Sequence, residues 1–335
     1  MAKATIKDVA REAGVSVSTV SFAINNSRPV SKETRQRIAR AIETTGYTPN
    51  INARSLRTNK TNLIGIVVAD IQNAAFLTFY DHAESYLSDH GYSIILCNLG
   101  KDIHSKGKNY IDLLINRGVD GMIITGMNNL ADYARSHTNL PIVAARKTPS
   151  KTFSTVYCDT IKGAYMAARY LFERHSESLD VFTPALTKPT YLDRMSGVYQ
   201  AAGEMGIDLN GIVTHFCEDN SIVSGFKAME GLIKQKILPR TIFAFNDEIA
   251  VGILQCLLTN GIRVPQDTLL IGFDDTPAAL VTTPTLASVH QPMDILREIA
   301  ATELISTISD PHYAVRSICI DPKLITDRGT VCLSL

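Results

Sequence analysis

Two blocks of different grammar predict an α/β protein with a small all-helical head. Residues 1–46 hold three short helical patterns; from residue 63, short apolar runs alternate with amphipathic helices. Charge separates the same two blocks. Residues 1–62 carry four Lys and seven Arg against four acids, a net +7, while the whole chain balances 33 basic against 33 acidic residues, leaving −7 on the rest. A basic head on an acidic body points to a polyanionic partner for the head alone.

At 335 residues the chain exceeds what one core organises, and 45% hydrophobic with 20% charged residues fits a globular protein. The six cysteines (97, 158, 217, 256, 319, 332) and eight histidines are scattered without ligand spacing, so no disulfide framework, metal site or cofactor is expected. "MAKATIKDVA" lacks the apolar stretch of a signal peptide, and no apolar run matches a bilayer's thickness. A cytoplasmic protein with no membrane partner is the expectation.

In the head, "TIKDVAREAG" begins at a capping Thr5 and stops at Gly14, with Ile6, Val9, Ala10 and Ala13 at helical spacing. "SVSTVSFAINN" follows after a tight turn. "SKETRQRIARAIETTG" opens at Ser31 and closes at Gly46, with Ile38, Ala41 and Ile42 as its apolar stripe. Two short helices joined by a glycine turn and braced by a third make the helix-turn-helix pattern. Any small three-helix bundle explains the helices, but not the +7 charge or the Ser/Thr-rich middle helix. The polar segment "GYTPNINARSLRTNKTN" (46–62) reads as a linker with one short helix over roughly 50–57, capped by Asn50 and carrying Leu56.

About ten apolar runs follow, from "LIGIVVA" to "SICI", most separated by helical patterns. Repeated βα units imply parallel sheets covered by helices on both faces. Ten strands are too many for one compact sheet, so two lobes are expected, and "ASVHQP" (287–292) returns the chain to the first. The predicted domains are 1–48, 49–62 and 63–335, the last divided into one lobe at about 63–158 and 290–325 and another at about 159–289. Polar residues stand just past the strands: Asp70, Asn73, Arg146, Asp159, Asn220, Asn246, Asp247, Asp274, Asp275 and Gln291. In open α/β sheets ligands bind beyond the carboxyl ends of the strands, so two facing lobes would gather these groups on one cleft. Asp274 and Asn246 also suit helix caps.

The motifs "TIKDVAREAGVSVSTVS", "VSKETRQRIARAIETTGYTPN", "ARSLRTNKTNLIGIVV", "RGVDGMII", "FNDEIAVG", "VPQDTLLIGFDD" and "SVHQP", in this order along nearly the whole chain, resemble the lac-repressor (LacI/GalR) family of transcription factors. The resemblance implies a homodimer on palindromic operator DNA. It also implies a hinge helix that folds in the minor groove and a body built like a periplasmic sugar-binding protein. By match to the family pattern, Val17, Ser18 and Phe22 face bases, and Thr5, Ser16, Thr19, Ser21 and Asn25 suit phosphate contact. Leu56 falls on the leucine wedged into the central base step, with Arg54 and Arg57 beside it.

Three departures alter the expected chemistry. Phe22 stands where the family commonly has Arg or His, which removes a bidentate guanine contact. Its ring either packs on a thymine methyl or braces the small bundle. In "DIQNAAF" Phe76 is the one aromatic left to stack on a ring-shaped ligand, and Asn220 stands where relatives often place another. "AARK" puts Ala145 or Arg146 where the family has a hydroxyl-binding aspartate. A guanidinium has only donors, so Arg146, with Lys147 beside it, allows a phosphorylated or acidic sugar as well as a neutral one. Arg194, Asn246, Asp274 and Gln291 match the family's ligand contacts.

The expected function is a ligand-responsive repressor of a carbohydrate-utilisation operon, within a family that binds sugars or nucleobase-like molecules. A corepressor-dependent regulator or an activator would share this sequence, since only the sign of coupling differs. A ligand-binding protein or enzyme with an incidental head is the rival from another class. It lacks support: there is no G-x-S-x-G, Walker loop or H-E-x-x-H. Without a leucine heptad tail, a dimer is expected and no tetramer.

Overall fold

The computed structural model describes residues 4–25, 28–48, 60–69, 83–100, 103–125, 128–175 and 178–332. The chain forms two compact units, Met1–Thr61 and Asn62–Leu335. Arg54, Leu56, Arg57, Asp70, Asn73 and Phe76 lie outside the described residues, as does the side chain of Asn25.

Among its described residues the head has three helices, α1 (Ile6–Ala13), α2 (Val17–Asn25) and α3 (Lys32–Thr45). Its core is Val9, Ala10, Ala13, Val20, Ala23, Ile38 and Ala41. So small a core leaves much of the definition to the helix ends. The Thr5 hydroxyl and N–H both donate to the Asp8 carboxylate, at 2.7 and 2.9 Å. Ser31 accepts from the Thr34 N–H at 3.2 Å. Gly14 ends α1 at φ 62°, a left-handed conformation that a side chain resists. The Arg37 guanidinium of α3 then donates to the carbonyls of Ala13 and Gly14, tying the third helix to the turn between the first two.

The body is two six-stranded sheets. The first lobe runs β1 (Leu63–Val68), α4 (83–89), β2 (Ser93–Asn98), α5 (Ile103–Asn116), β3 (Gly121–Thr125), α6 (Asn128–His137), β4 (Ile142–Ala145) and β5 (Ser154–Cys158). The second runs α7 (Thr160–Phe172), β6 (Leu179–Thr183), α8 (Pro189–Met205), β7 (Ile212–Phe216), α9 (Ile222–Lys234), β8 (Thr241–Ala244), α10 (Asp247–Thr259), β9 (Leu269–Asp274), α11 (Pro277–Leu280) and β10 (Ala287–His290). The chain then returns through α12 (Met293–Ser309), β11 (Ser317–Ile320) and β12 (Lys323–Ile325).

Strand order is β11-β5-β4-β3-β1-β2 in one sheet and β12-β10-β9-β8-β6-β7 in the other. Among the described residues every pairing is parallel except β10 with β12. Alternation along each strand sends side chains to opposite faces. In β1, Ile64, Ile66 and Val68 join Leu87, Leu296, Ala300 and Leu304 on one side. Val67 packs with Ile111, Leu114, Leu130 and Ala134 on the other. The second sheet repeats the scheme, with Val181 facing α7 and α8 and Phe182 facing α9 and α10.

Two expectations need correction. Among the described residues there are twelve strands, because "ASVH" and "KLI" pair as β10 and β12; runs of four and three residues are too short to show a period. The first lobe stops at β11, not at 325. Lys323–Ile325 pairs antiparallel with β10, and Val331 packs into the second lobe's core. Among the described residues no helix is long and apolar enough to cross a membrane.

Candidate functional site

The head presents a polar helix face. With 3.6 residues per turn, Val20, Ala23 and Ile24 of α2 turn inward, which leaves Ser18 and Phe22 on the opposite side. Val17 is 41% exposed at the helix start. Ser16 caps α2: its Oγ accepts from the Thr19 N–H at 3.1 Å and lies 2.7 Å from the Ser18 hydroxyl and 2.8 Å from that of Thr19. Thr5, Ser16 and Thr19, expected at phosphates, are thus also end-pieces of the helices that carry them. Phe22 is half-buried and is not part of the head's apolar cluster. Its ring instead carries the Arg28 guanidinium, 4.9 Å from the centroid.

In the second lobe, β8, β9 and β10 are sheet neighbours and run parallel. Their carboxyl ends therefore bring Asn246, Asp274 and Gln291 to one edge. Arg194 of α8 reaches that edge. Its Nη2 donates to Asp274 Oδ1 at 3.0 Å, Gln291 Nε2 donates to the same oxygen at 2.6 Å, and its Nη1 donates to the Phe245 carbonyl. The guanidinium also lies over the Phe273 ring, 3.6 Å from the centroid. With side chains only 5% and 9% exposed, the Arg194–Asp274 pair is out of water. Burial raises the Asp274 pKa although Arg194 and Gln291 pull it down, so desolvation outweighs the pairing.

A second tier supports Asp274. It and Asp275 both have positive φ, 104° and 55°, a strained pair for non-glycine residues. The Asp275 carboxylate holds Arg328 Nη1 at 2.6 Å and His290 Nδ1 at 2.8 Å. Asp247 is wholly buried and accepts from the Ser288 hydroxyl and the Thr276 N–H, each at 2.6 Å. Burial, then the neighbouring Asp274 charge, drive its pKa well above the ordinary carboxylate value.

The expected site residues divide. Arg194, Asp274 and Gln291 converge directly. Asn246 is near them but occupied: its amide oxygen accepts from the Ile249 N–H at 2.8 Å as the cap of α10, and its amide nitrogen donates to the Asn220 carbonyl at 3.2 Å. Asn220 in turn accepts from the Tyr191 hydroxyl at 2.8 Å. Asp159 caps α7 through the Lys162 N–H. Arg146, beyond β4 of the first lobe, has its pKa lowered by burial and raised by the facing charge of Asp193 of α8. Two groups escaped the sequence. Glu248 is the last letter of "FNDE", and burial, then the nearby Asp274 charge against a backbone hydrogen bond, raise its carboxyl pKa. Tyr191 lies three residues before Arg194 with its hydroxyl on Asn220. The "FNDE" motif pointed at the first; nothing local marked the second.

Such a body, two parallel sheets with polar groups at their carboxyl edges, joined to a helix-turn-helix head, defines a ligand-controlled DNA-binding regulator. Residues 5–50 match the family model described as bacterial regulatory proteins, lacI family, and residues 168–331 match the periplasmic binding protein-like domain. The HTH-type transcriptional repressor PurR of Vibrio atlanticus (strain LGP32) is 34% identical, over 98% of this chain and 98% of its own. The lac repressor dimer bound to operator and the anti-inducer ONPF superposes with a TM-score of 0.87 at 22% identity, covering 98% of this chain and 99% of that one. The transcriptional regulator CelR–cellobiose complex superposes at 0.70 with 24% identity, covering 98% and 100%. The chain belongs to the lacI family of bacterial regulatory proteins and is a DNA-binding transcriptional repressor of that family.

Proposed function

We propose that this repressor acts as a homodimer on a palindromic operator of a carbohydrate-utilisation operon, its affinity set by a neutral, ring-shaped effector of the sugar class in the cleft. One observation carries the choice of effector. Arg194 Nε and Glu248 Oε2 are buried with no hydrogen-bond partner among the described residues, beside the Arg194–Asp274 pair. An unmatched donor and an unmatched acceptor each cost about 1–3 kcal/mol, and a hydroxyl can serve either. An anion would meet Asp247, Glu248 and Asp274 around one guanidinium, and the Arg146 charge already faces Asp193. These charges support a neutral sugar over the phosphorylated or acidic one that Arg146 suggested. The cellobiose and ribose named with two structural neighbours belong to those proteins but lie in the same class.

In this scheme Asp70, Asn73 and Phe76 close the cleft from the first lobe, with Phe76 stacking on the ring. Thr5, Ser16, Val17, Ser18, Thr19, Ser21, Phe22 and Asn25 contact the operator's major groove and phosphates. Leu56, between Arg54 and Arg57, wedges the minor groove. The exposed Ile222 and Val223 of α9 suit the two-fold contact with a second copy.

The test is a thermal-shift panel of free sugars, their phosphates and nucleobases, followed by operator gel shifts with each hit. A free sugar at 100 times its Kd stabilises by about 2.7 kcal/mol. Arg146→Ala leaves that response in place. Stabilisation only by phosphates or only by nucleobases overturns the effector class. A hit that tightens operator binding makes it a corepressor.

A further inference from the structure

Phe22 leaves a gap in the head: the outward face of α2 has no guanidinium. The structure shows one brought there from outside the helix. Arg28 is exposed, and its guanidinium carbon sits 4.9 Å from the centroid of the Phe22 ring. Among the described residues no carboxylate lies within ion-pair distance of it. Phe22 does not pack into the head's apolar cluster, so the bundle does not need it as a brace. A ring turned outward with a cation on its face needs another account.

We propose that Phe22 is the platform on which Arg28 is held, and that the two together read one guanine of the operator half-site. Stacking occupies the flat face of a guanidinium and leaves its in-plane N–H groups pointing outward. Those are the groups that pair bidentately with guanine O6 and N7 in the major groove. A ring beneath the guanidinium also restricts a long side chain before DNA arrives, so less freedom is lost on binding. The guanine contact that position 22 cannot make is thereby supplied from position 28. The platform remains compatible with the ring edge touching a thymine methyl, since edge and face are separate surfaces.

The inference rests on operator binding by the head, and its test separates the two. The full chain, with Phe22→Leu, Phe22→Tyr, Arg28→Ala and the Phe22→Leu/Arg28→Ala double variant, is put through selection from a random duplex library. Affinities are then measured on the best wild-type duplex and on a random one. Wild type should enrich a half-site with one fixed G·C pair. Arg28→Ala and Phe22→Leu should relax that same position and weaken the selected duplex roughly 5- to 150-fold. The double variant should lose little beyond either single change, and Phe22→Tyr should keep the preference. Matching melting curves in the absence of DNA would show that the head remains folded. If Arg28→Ala weakens all sequences equally, Arg28 is a phosphate contact and the proposal fails. It also fails if the two single variants relax different positions or none. No enrichment by wild type would sink operator binding itself, and the pair with it.

Discussion

The head and the second lobe hold their polar groups in opposite ways. In the head, the Ser16 hydroxyl bonds to those of Ser18 and Thr19 at the start of α2, beside a core whose buried members are small or medium side chains. In the second lobe, Arg194, Asp247 and Asp274 are buried and fixed by partners far away in sequence. The difference suits two ligands. A duplex is large, charged and wet, and is met by a surface whose net charge does much of the work. A small molecule must be enclosed, so its recognition groups are taken out of water beforehand.

The largest expected effect breaks the buried side of this contrast. Asp274→Ala leaves the Arg194 charge buried and unmatched, which should destabilise the body by about 3–5 kcal/mol in urea unfolding. Asp274→Leu with Arg194→Met should cost much less, because both charges are gone. If the single and double variants unfold alike, the pair is not the organising contact of this edge.

On the head, losing a polar group should cost less. Ser31→Ala removes the cap on α3, and melting of the full chain's head transition should show a loss of about 1 kcal/mol. A loss as large as that of Asp274→Ala would mean that the head is as dependent on single polar contacts as the cleft.

The smallest effect lies on the exposed surface of the second lobe. Arg263 donates to Asp267 from its backbone and side chain and holds that carboxyl at about 2, below its ordinary 3.8. A depressed carboxylate adds stability above the unfolded value and loses it as pH falls through about 2. Arg263→Ala should return the Asp267 titration toward 3.8 in an NMR pH series, with little change in unfolding at neutral pH. An unmoved titration would assign the shift elsewhere.

Legibility followed the same divide. The run "LIGIVVA" announces β1 because the strand is buried on both faces, whereas β10 and β12 are too short to announce themselves. The helix ends at Thr5, Gly14, Ser31 and Gly46 were legible because capping is local chemistry. At the cleft, Arg194 and Asp274 each stood out, but the bond between them spans 80 residues, and no spacing rule relates them. Asn246 looked like a ligand contact or a cap; its neighbours in the fold make it a cap. Arg28 carries no signal in the sequence, because a loop arginine is ordinary until a ring lies beneath it.

The +7 head should meet DNA largely through phosphate neutralisation. The most direct test is the affinity of the full chain for a selected operator duplex across a salt series. Each phosphate neutralised contributes about −0.9 to the slope of log K against log salt. The account predicts a steep negative slope, equivalent to several phosphates per protomer and shallower by about one for Arg57→Ala. A flat response between low and physiological salt would contradict it.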